Sequence, residues 1–377
     1  MSQDFSNIAP YSDQDLKPAL DRLLTATPFL AGVARLSLPK TSMIWPGLAR
    51  FLVKGRLKSQ FKKLNTIEDL QNKVAPFMAK VVTTTIENLT IEGLDHLEDR
   101  PYLFISNHRD IVMDPALVNW ALHSAGRDTV RIAIGDNLIK QPFVEDLMRL
   151  NKSFIVRRNV GGPRELAKVV SQLSAYIGHS LLEEQAPIWI AQKEGRAKDG
   201  VDQTDPAIIK MIQMAGRKHP DGVAGYLKSL NIVPVYISYE LDPCDSAKAV
   251  ELWKTESDGE YQKADSEDLE NILLGIKGQK GNVKVAFGQP IQNEGDLESP
   301  EALASAIDAQ MKTLYQPWET NKVAAKRVKG ESAESAKLDE RLSHCPEPAR
   351  GRLLATYAAP ELEASSLIFL VLQQSQT

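Results

Sequence analysis

Apolar residues recur at helical spacing up to about residue 90, and short β-branched runs alternating with helical patterns follow. The longest early segment, residues 66–87, sets Leu70, Val74, Phe77, Met78 and Val81 on one face, with Pro76 a candidate kink inside it. No clear strand precedes Leu89. Strands are expected at residues 102–106, 130–134, 153–156, 187–191, 232–239 and 283–287. A helix is expected from Pro163, which suits a first helical position after Gly161 and Gly162, and Leu166, Val169, Val170, Leu173 and Ile177 continue its apolar face. The alternation predicts an α/β fold, a mixed, mostly parallel sheet covered by helices, preceded by an N-terminal helical region. The corresponding boundaries are 1–90 for the helical region, 91–316 for the α/β domain and 317–377 for a polar helical C-terminal tail. Residues 251–281 read as an exposed acidic helical excursion, and the apolar run 367–372 as a segment that docks back on the domain.

With 43% hydrophobic and 25% charged residues in 377, the chain has material for one large domain and a smaller one, and disorder is excluded as its main state. Cys244 and Cys345 are too far apart and too few for a disulfide framework or a metal cluster, which suits a reducing compartment. The first residues lack the basic-then-apolar layout of a signal peptide, and no stretch reaches the ~20 apolar residues of a spanning helix. The expected location is therefore the cytoplasm.

The net charge of −4 hides an asymmetry. Residues 23–67 contain no Asp or Glu, yet carry Arg35, Lys40, Arg50, Lys54, Arg56, Lys58, Lys62 and Lys63 among Ile44, Trp45, Leu48, Phe51, Leu52, Leu57 and Phe61. Mixed basic and apolar residues suit an anionic membrane surface, where each Lys or Arg contributes about 1 kcal/mol. The alternative is an amphipathic helix packed on the main domain with a solvated basic face. Nucleic acid is not expected as a partner, because the rest of the chain has neither a basic surface nor a binding motif.

The densest candidate chemistry lies at residues 104–115, where Asn107-His108-Arg109-Asp110 and Asp114 follow an apolar run. A neutral imidazole oriented by a carboxylate can take a proton from an alcohol, and a strand-to-helix junction of an α/β sheet exposes such a group. The plainer reading is a histidine that caps a helix. A protein kinase is excluded, since Pro115 stands where its catalytic loop needs a metal-binding Asn and no Asp-Phe-Gly follows. Arg157 and Arg158 emerge from the apolar run 153–156 and suit bidentate phosphate binding. Lys193-Glu194-Gly195-Arg196 combines close backbone approach at the glycine with basic side chains. Val233 and Pro234 sit in an apolar run suited to lining an acyl pocket. No metal is expected, because no His, Cys, Asp or Glu group has ligand spacing. The other histidines, His96, His123, His179, His219 and His344, lie outside any motif and are expected at the surface.

These four blocks, in this order, resemble the glycerolipid acyltransferases, which acylate glycerol-3-phosphate or 1-acylglycerol-3-phosphate. The family's blocks are His with an Asp after four residues, Phe-Ile-x-Arg, Glu-Gly, and an apolar Val-Pro-Val strand. The resemblance covers residues 91–290 and extends to Phe287-Gly288-Gln289-Pro290. It implies a glycerol-3-phosphate acyltransferase-like fold in which His108 deprotonates a glycerol hydroxyl for attack on a thioester. The donor would be acyl-CoA or acyl-carrier protein, with no further cofactor, and the protein would sit on the inner face of the membrane. Arg157, Arg158, Arg196, Lys193, Glu194 and Gly195 would bind the acceptor. One departure stands out. Met113 occupies the usual aspartate position, so either Asp114 or Asp110 orients His108; Asp114 is the favoured partner. A catalytically idle lipid- or phosphate-binding relative is the alternative.

Overall fold

A computed structural model describes residues 4–158, 160–264 and 267–374, the side chains of 363–374 excepted. Among the described residues seven strands are found: β1 Asn88–Glu92, β2 Leu103–Ser106, β3 Arg131–Gly135, β4 Ser153–Val156, β5 Ile188–Ala191, β6 Ile232–Tyr239 and β7 Asn282–Phe287. The chain divides into two compact units, Met1–Phe77 with Arg131–Tyr176, and Met78–Val130 with Ile177–Thr377. These units interleave along the chain.

The second unit is built on five strands in the order β1, β7, β6, β2, β5. β2 pairs parallel with β6 and β5, β1 pairs parallel with β7, and β6 pairs antiparallel with β7. Every residue of β2 is buried, as expected of a central strand with neighbours on both edges and helices on both faces. β1 was not legible because it is an edge strand whose Asn-Leu-Thr-Ile-Glu sequence alternates without any fully buried position. The six expected strands lie within about one residue of those observed.

The expected polar tail is a structured part of this unit. Helices Glu319–Val328, Ala336–His344 and Arg350–Gln374 pack with helix Asp245–Asp258 around the buried Val323, Ala324, Leu338, Cys345, Leu353 and Tyr357. Arg341 grips the buried Asp245 at 2.5 Å, and the Tyr357 hydroxyl donates to the same carboxylate at 2.7 Å. The side chains of 367–372, expected to dock on the domain, lie outside the described residues.

The first unit combines helices Asp13–Leu23, Thr27–Ser37, Pro39–Ile44 and Pro46–Phe61 with the parallel pair β3 and β4. Leu16, Leu20, Leu23, Leu64 and Leu150 form one of its cores. Asp146, buried on helix Pro142–Leu150, receives Arg22 at 2.6 Å and the Tyr11 hydroxyl at 2.8 Å. That ion pair joins groups 124 residues apart in sequence within this unit, alongside the apolar core that Leu150 shares with the first helix.

Leu353→Ala opens a cavity in the C-terminal helical core and is expected to cost about 2–5 kcal/mol, read as a lower urea midpoint at unchanged slope.

Candidate functional site

β2 delivers Asn107 and His108 at its C-terminal end, where open α/β sheets present their reactive groups. Asn107 is fastened to β6 by both ends of its amide, accepting from the Ile237 N–H at 2.8 Å and donating to the Ile237 carbonyl at 3.0 Å. His108 is thereby held at a fixed exit from the sheet. Its Nδ1 lies 2.8 Å from Asp114 Oδ2, and the imidazole is 15% exposed while the carboxylate is fully buried. With Nδ1 donating to Asp114, the Nε2 lone pair is free to accept a proton. The Trp189 ring packs edge-on against the imidazole at 5.6 Å, and its N–H donates to Ser106 at 2.9 Å.

Asp114 stands in the first turn of helix Met113–Ser124, whose N-terminal dipole favours a carboxylate. Its Oδ2 also accepts the backbone N–H groups of Arg109 at 2.6 Å and Asp110 at 2.9 Å, and its Oδ1 accepts the Tyr239 hydroxyl at 2.7 Å. The extra residue between His108 and this aspartate is absorbed by the loop. Asp110 has a different position: its Oδ1 accepts the N–H groups of Val112 at 2.9 Å and Met113 at 2.8 Å, which caps the helix. Burial, with Asp114 close by, pushes the Asp110 carboxyl up. A Cβ on Gly275 would meet Asp110 Oδ2 at 2.2 Å, so only glycine lets helix Glu267–Lys277 approach the loop.

Arg109 turns away from the imidazole. Its guanidinium donates to the Gly200 carbonyl at 3.0 Å and to Asp202 at 2.6 Å, where the Tyr236 hydroxyl also donates at 2.6 Å. Lys248 donates to the Arg109 carbonyl at 2.6 Å and pairs with Asp242. Beside these groups lies a cavity of ≈ 50 Å³ bordered by Arg109, Tyr236, Tyr239, Asp242, Tyr315 and Tyr357. That volume is far below the ~300 Å³ at which ligand pockets begin, so it is no receptacle for a fatty acyl chain. Val233 and Pro234 are buried inside β6 and do not line it.

The third block is brought to His108 by the backbone, as the Ala197 N–H donates to the His108 carbonyl at 2.8 Å. Gly195 has φ +77°, a conformation that suits glycine, and lies exposed beside the exposed Glu194. Lys193 donates to the Val201 carbonyl at 3.3 Å, and Arg196 keeps a buried Nη1 without a hydrogen-bond partner. Arg157 and Arg158 are exposed after β4 in the first unit, where the Arg158 N–H donates to Asp136 at 3.2 Å. His96, His123 and His344 are exposed, whereas His179 and His219 are half-buried, less open than expected. Among the described residues no group of three or more His, Cys, Asp or Glu is placed to hold a metal.

Tyr239 and Trp189 were missed as site residues. Tyr239 had one available signal, its place as the last residue of the strand expected at 232–239.

Residues 88–238 match the family model described as Acyltransferase. This stretch is similar to the acyltransferase family. It runs from β1 almost to the end of β6 and contains His108, Asp114 and the Glu194-Gly195 turn. Two solved structures are similar in part. The 1-acyl-sn-glycerophosphate (LPA) acyltransferase PlsC from Thermotoga maritima is 12% identical over 71% of this chain and 83% of its own, with a TM-score of 0.37. The signal recognition particle receptor FtsY from Elizabethkingia anophelis is 13% identical over 78% of this chain and 92% of its own, with a TM-score of 0.23. No curated protein matches this chain.

Lys280, within electrostatic reach of Asp110, donates to Thr85 at 3.0 Å and to the Gly278 carbonyl at 2.8 Å, and burial lowers its pKa from 10.5 to about 8, against the opposing pull of Asp110. The folded protein therefore binds fewer protons than the unfolded chain between these values. Stability should rise with pH across that window, by roughly 3 kcal/mol at full effect, and this contribution is absent below about 8. Lys280→Met is expected to flatten that rise in denaturation curves taken from pH 7 to 11.

Proposed function

We propose that this protein is an O-acyltransferase that moves a fatty acyl group from a thioester donor, acyl-CoA or acyl-carrier protein, to a hydroxyl of glycerol phosphate or a lysophospholipid. One observation carries the reading: His108 and Asp114 stand 2.8 Å apart at the mouth of β2, inside the acyltransferase-family stretch. In the proposed reaction Nε2 takes the hydroxyl proton, the alkoxide oxygen bonds to the thioester carbonyl carbon, and collapse of the intermediate breaks the C–S bond. The thiolate leaves with the proton returned by the imidazolium. Asp114 holds the tautomer and offsets the imidazolium charge. Arg196 and Lys193, in the block whose Ala197 N–H reaches the His108 carbonyl, are proposed phosphate contacts; Arg157 and Arg158 are proposed separately as anion-binding groups of the first unit, and Glu194 and Gly195 shape the turn that carries Arg196.

The membrane is the proposed location, as a peripheral protein on the cytoplasmic face. Helix Pro39–Ile44 and helix Pro46–Phe61 leave Met43, Ile44, Trp45, Leu48, Phe51 and Leu52 exposed, with Trp45 at 65% and Phe51 at 73%. Lys40, Lys54, Arg56 and Lys58 are exposed on the same two helices, and Arg35 is exposed on helix Thr27–Ser37 before them. Large exposed apolar groups ringed by cations suit an anionic lipid surface. Among the described residues no helix is long and apolar enough to cross a membrane.

A catalytically idle lipid-binding relative is the second reading, motivated by the extra residue between His108 and Asp114. Thiol release from acyl-CoA or acyl-carrier protein, with glycerol-3-phosphate and 1-acylglycerol-3-phosphate as acceptors, decides between them. His108→Ala and Asp114→Asn are each expected to reduce acceptor-dependent release by about 100- to 10,000-fold with the fold intact. Absence of release from the unaltered protein with every donor and acceptor would favour the idle relative. For the membrane, Trp45→Ser with Phe51→Ser should abolish co-sedimentation with anionic vesicles; unchanged, salt-insensitive binding would sink the surface assignment.

A further inference from the structure

We propose that Tyr239 is a positioning residue for proton transfer: its hydroxyl, held on the outer oxygen of Asp114, fixes the rotation of the carboxylate whose inner oxygen receives His108. The inference rests on the acyl-transfer reading above and concerns how that site is held.

The two oxygens of Asp114 are unequally loaded. Oδ2 accepts His108 Nδ1 and two backbone N–H groups, whereas Oδ1 accepts the Tyr239 hydroxyl at 2.7 Å. The torsion that turns a carboxylate about its Cβ–Cγ bond is soft, and three donors converging on one oxygen leave the group free to pivot about it. A donor on the second oxygen removes that freedom. Tyr239 is well suited to the task because it ends β6, a strand paired on both edges, in register with Val283 of β7. The hydroxyl therefore comes from a rigid element, independent of the loop that carries His108 and the helix that carries Asp114. Burial and the neighbouring Asp114 raise the Tyr239 hydroxyl well above its usual range, so it remains a donor throughout the working pH. The carboxylate has no access to solvent that would replace this bond.

The other charged groups around the pair are Asp110 on the loop, Asp242 after β6, Lys248 paired with Asp242, Arg109 paired with Asp202, and Lys280 before β7. Substitution of Tyr239 leaves each of them in place. Removing the hydroxyl concentrates the negative charge on Asp114, which strengthens its hold on the imidazolium. The acid limb of the rate profile then moves to higher pH, and freer rotation of the carboxylate slows turnover.

The test is Tyr239→Phe, which keeps the ring. Expected results are a fall in kcat of about tenfold at unchanged KM, and a rise of the acid limb by about half to one pH unit. The His108 imidazole, followed by 13C-histidine NMR and assigned by the signal lost in His108→Ala, should show the same upward displacement. A lower Tm with neither the limb nor the His108 titration moved would overturn the proposal and make Tyr239 structural only. If the unaltered protein turns over no substrate, the acyltransferase reading falls, and the His108 titration still decides the role of Tyr239.

Discussion

A fully buried carboxylate is the constraint on which the candidate site of this protein depends. Asp114 is removed from water, and an ionised carboxylate in that position is tolerated only when its lone pairs are met by donors. Those donors come from four places: the imidazole, two successive backbone N–H groups of the loop, and the hydroxyl at the end of β6. Satisfying one charge thus ties the loop after β2, the start of helix Met113–Ser124 and the central strand β6 into a single arrangement. Asn107 reinforces it by pairing with Ile237 as another strand residue would. His108 is the exposed end of a network otherwise inside the molecule.

A second polar layer lies behind this one. Arg109 with Asp202 and Tyr236, Lys248 with Asp242, and Arg341 with Asp245 and Tyr357 place charges at low exposure, each with its counter-charge. Such pairs add little net stability, because desolvation offsets their attraction, but breaking one is costly. Their effect is to specify geometry. They connect the loop after β6 and helix Asp245–Asp258 to the C-terminal helices, so the segment beyond residue 317 helps hold the frame of the site.

The first unit shows a different economy of charge. Its buried Asp146 is satisfied by Arg22 and Tyr11, whereas its helices between residues 27 and 61 leave bulky apolar side chains in solvent beside a set of cations. A chain gains nothing in water from exposing Trp45 and Phe51, and the proposed lipid surface is a medium in which that exposure becomes favourable.

Much of this was legible along the chain. Strand positions follow from runs of β-branched residues bounded by turn residues, and six of the strands could be placed within about one residue. His108 stood out because a polar cluster at the end of an apolar run is rare unless something uses it. What stayed hidden depends on contacts between residues distant in sequence. Whether Asp110 or Asp114 meets the imidazole turns on how one loop closes, since both carboxylates lie within a few residues of His108 and spacing alone does not separate them. Tyr239 looked like any strand-end tyrosine until β6 was laid beside β2, 125 residues from its partner Asp114. The alternating edge strand β1 and the buried core of the C-terminal helices were missed for the same reason: local pattern records which residues are apolar or β-branched, while only the tertiary structure decides what they are packed against.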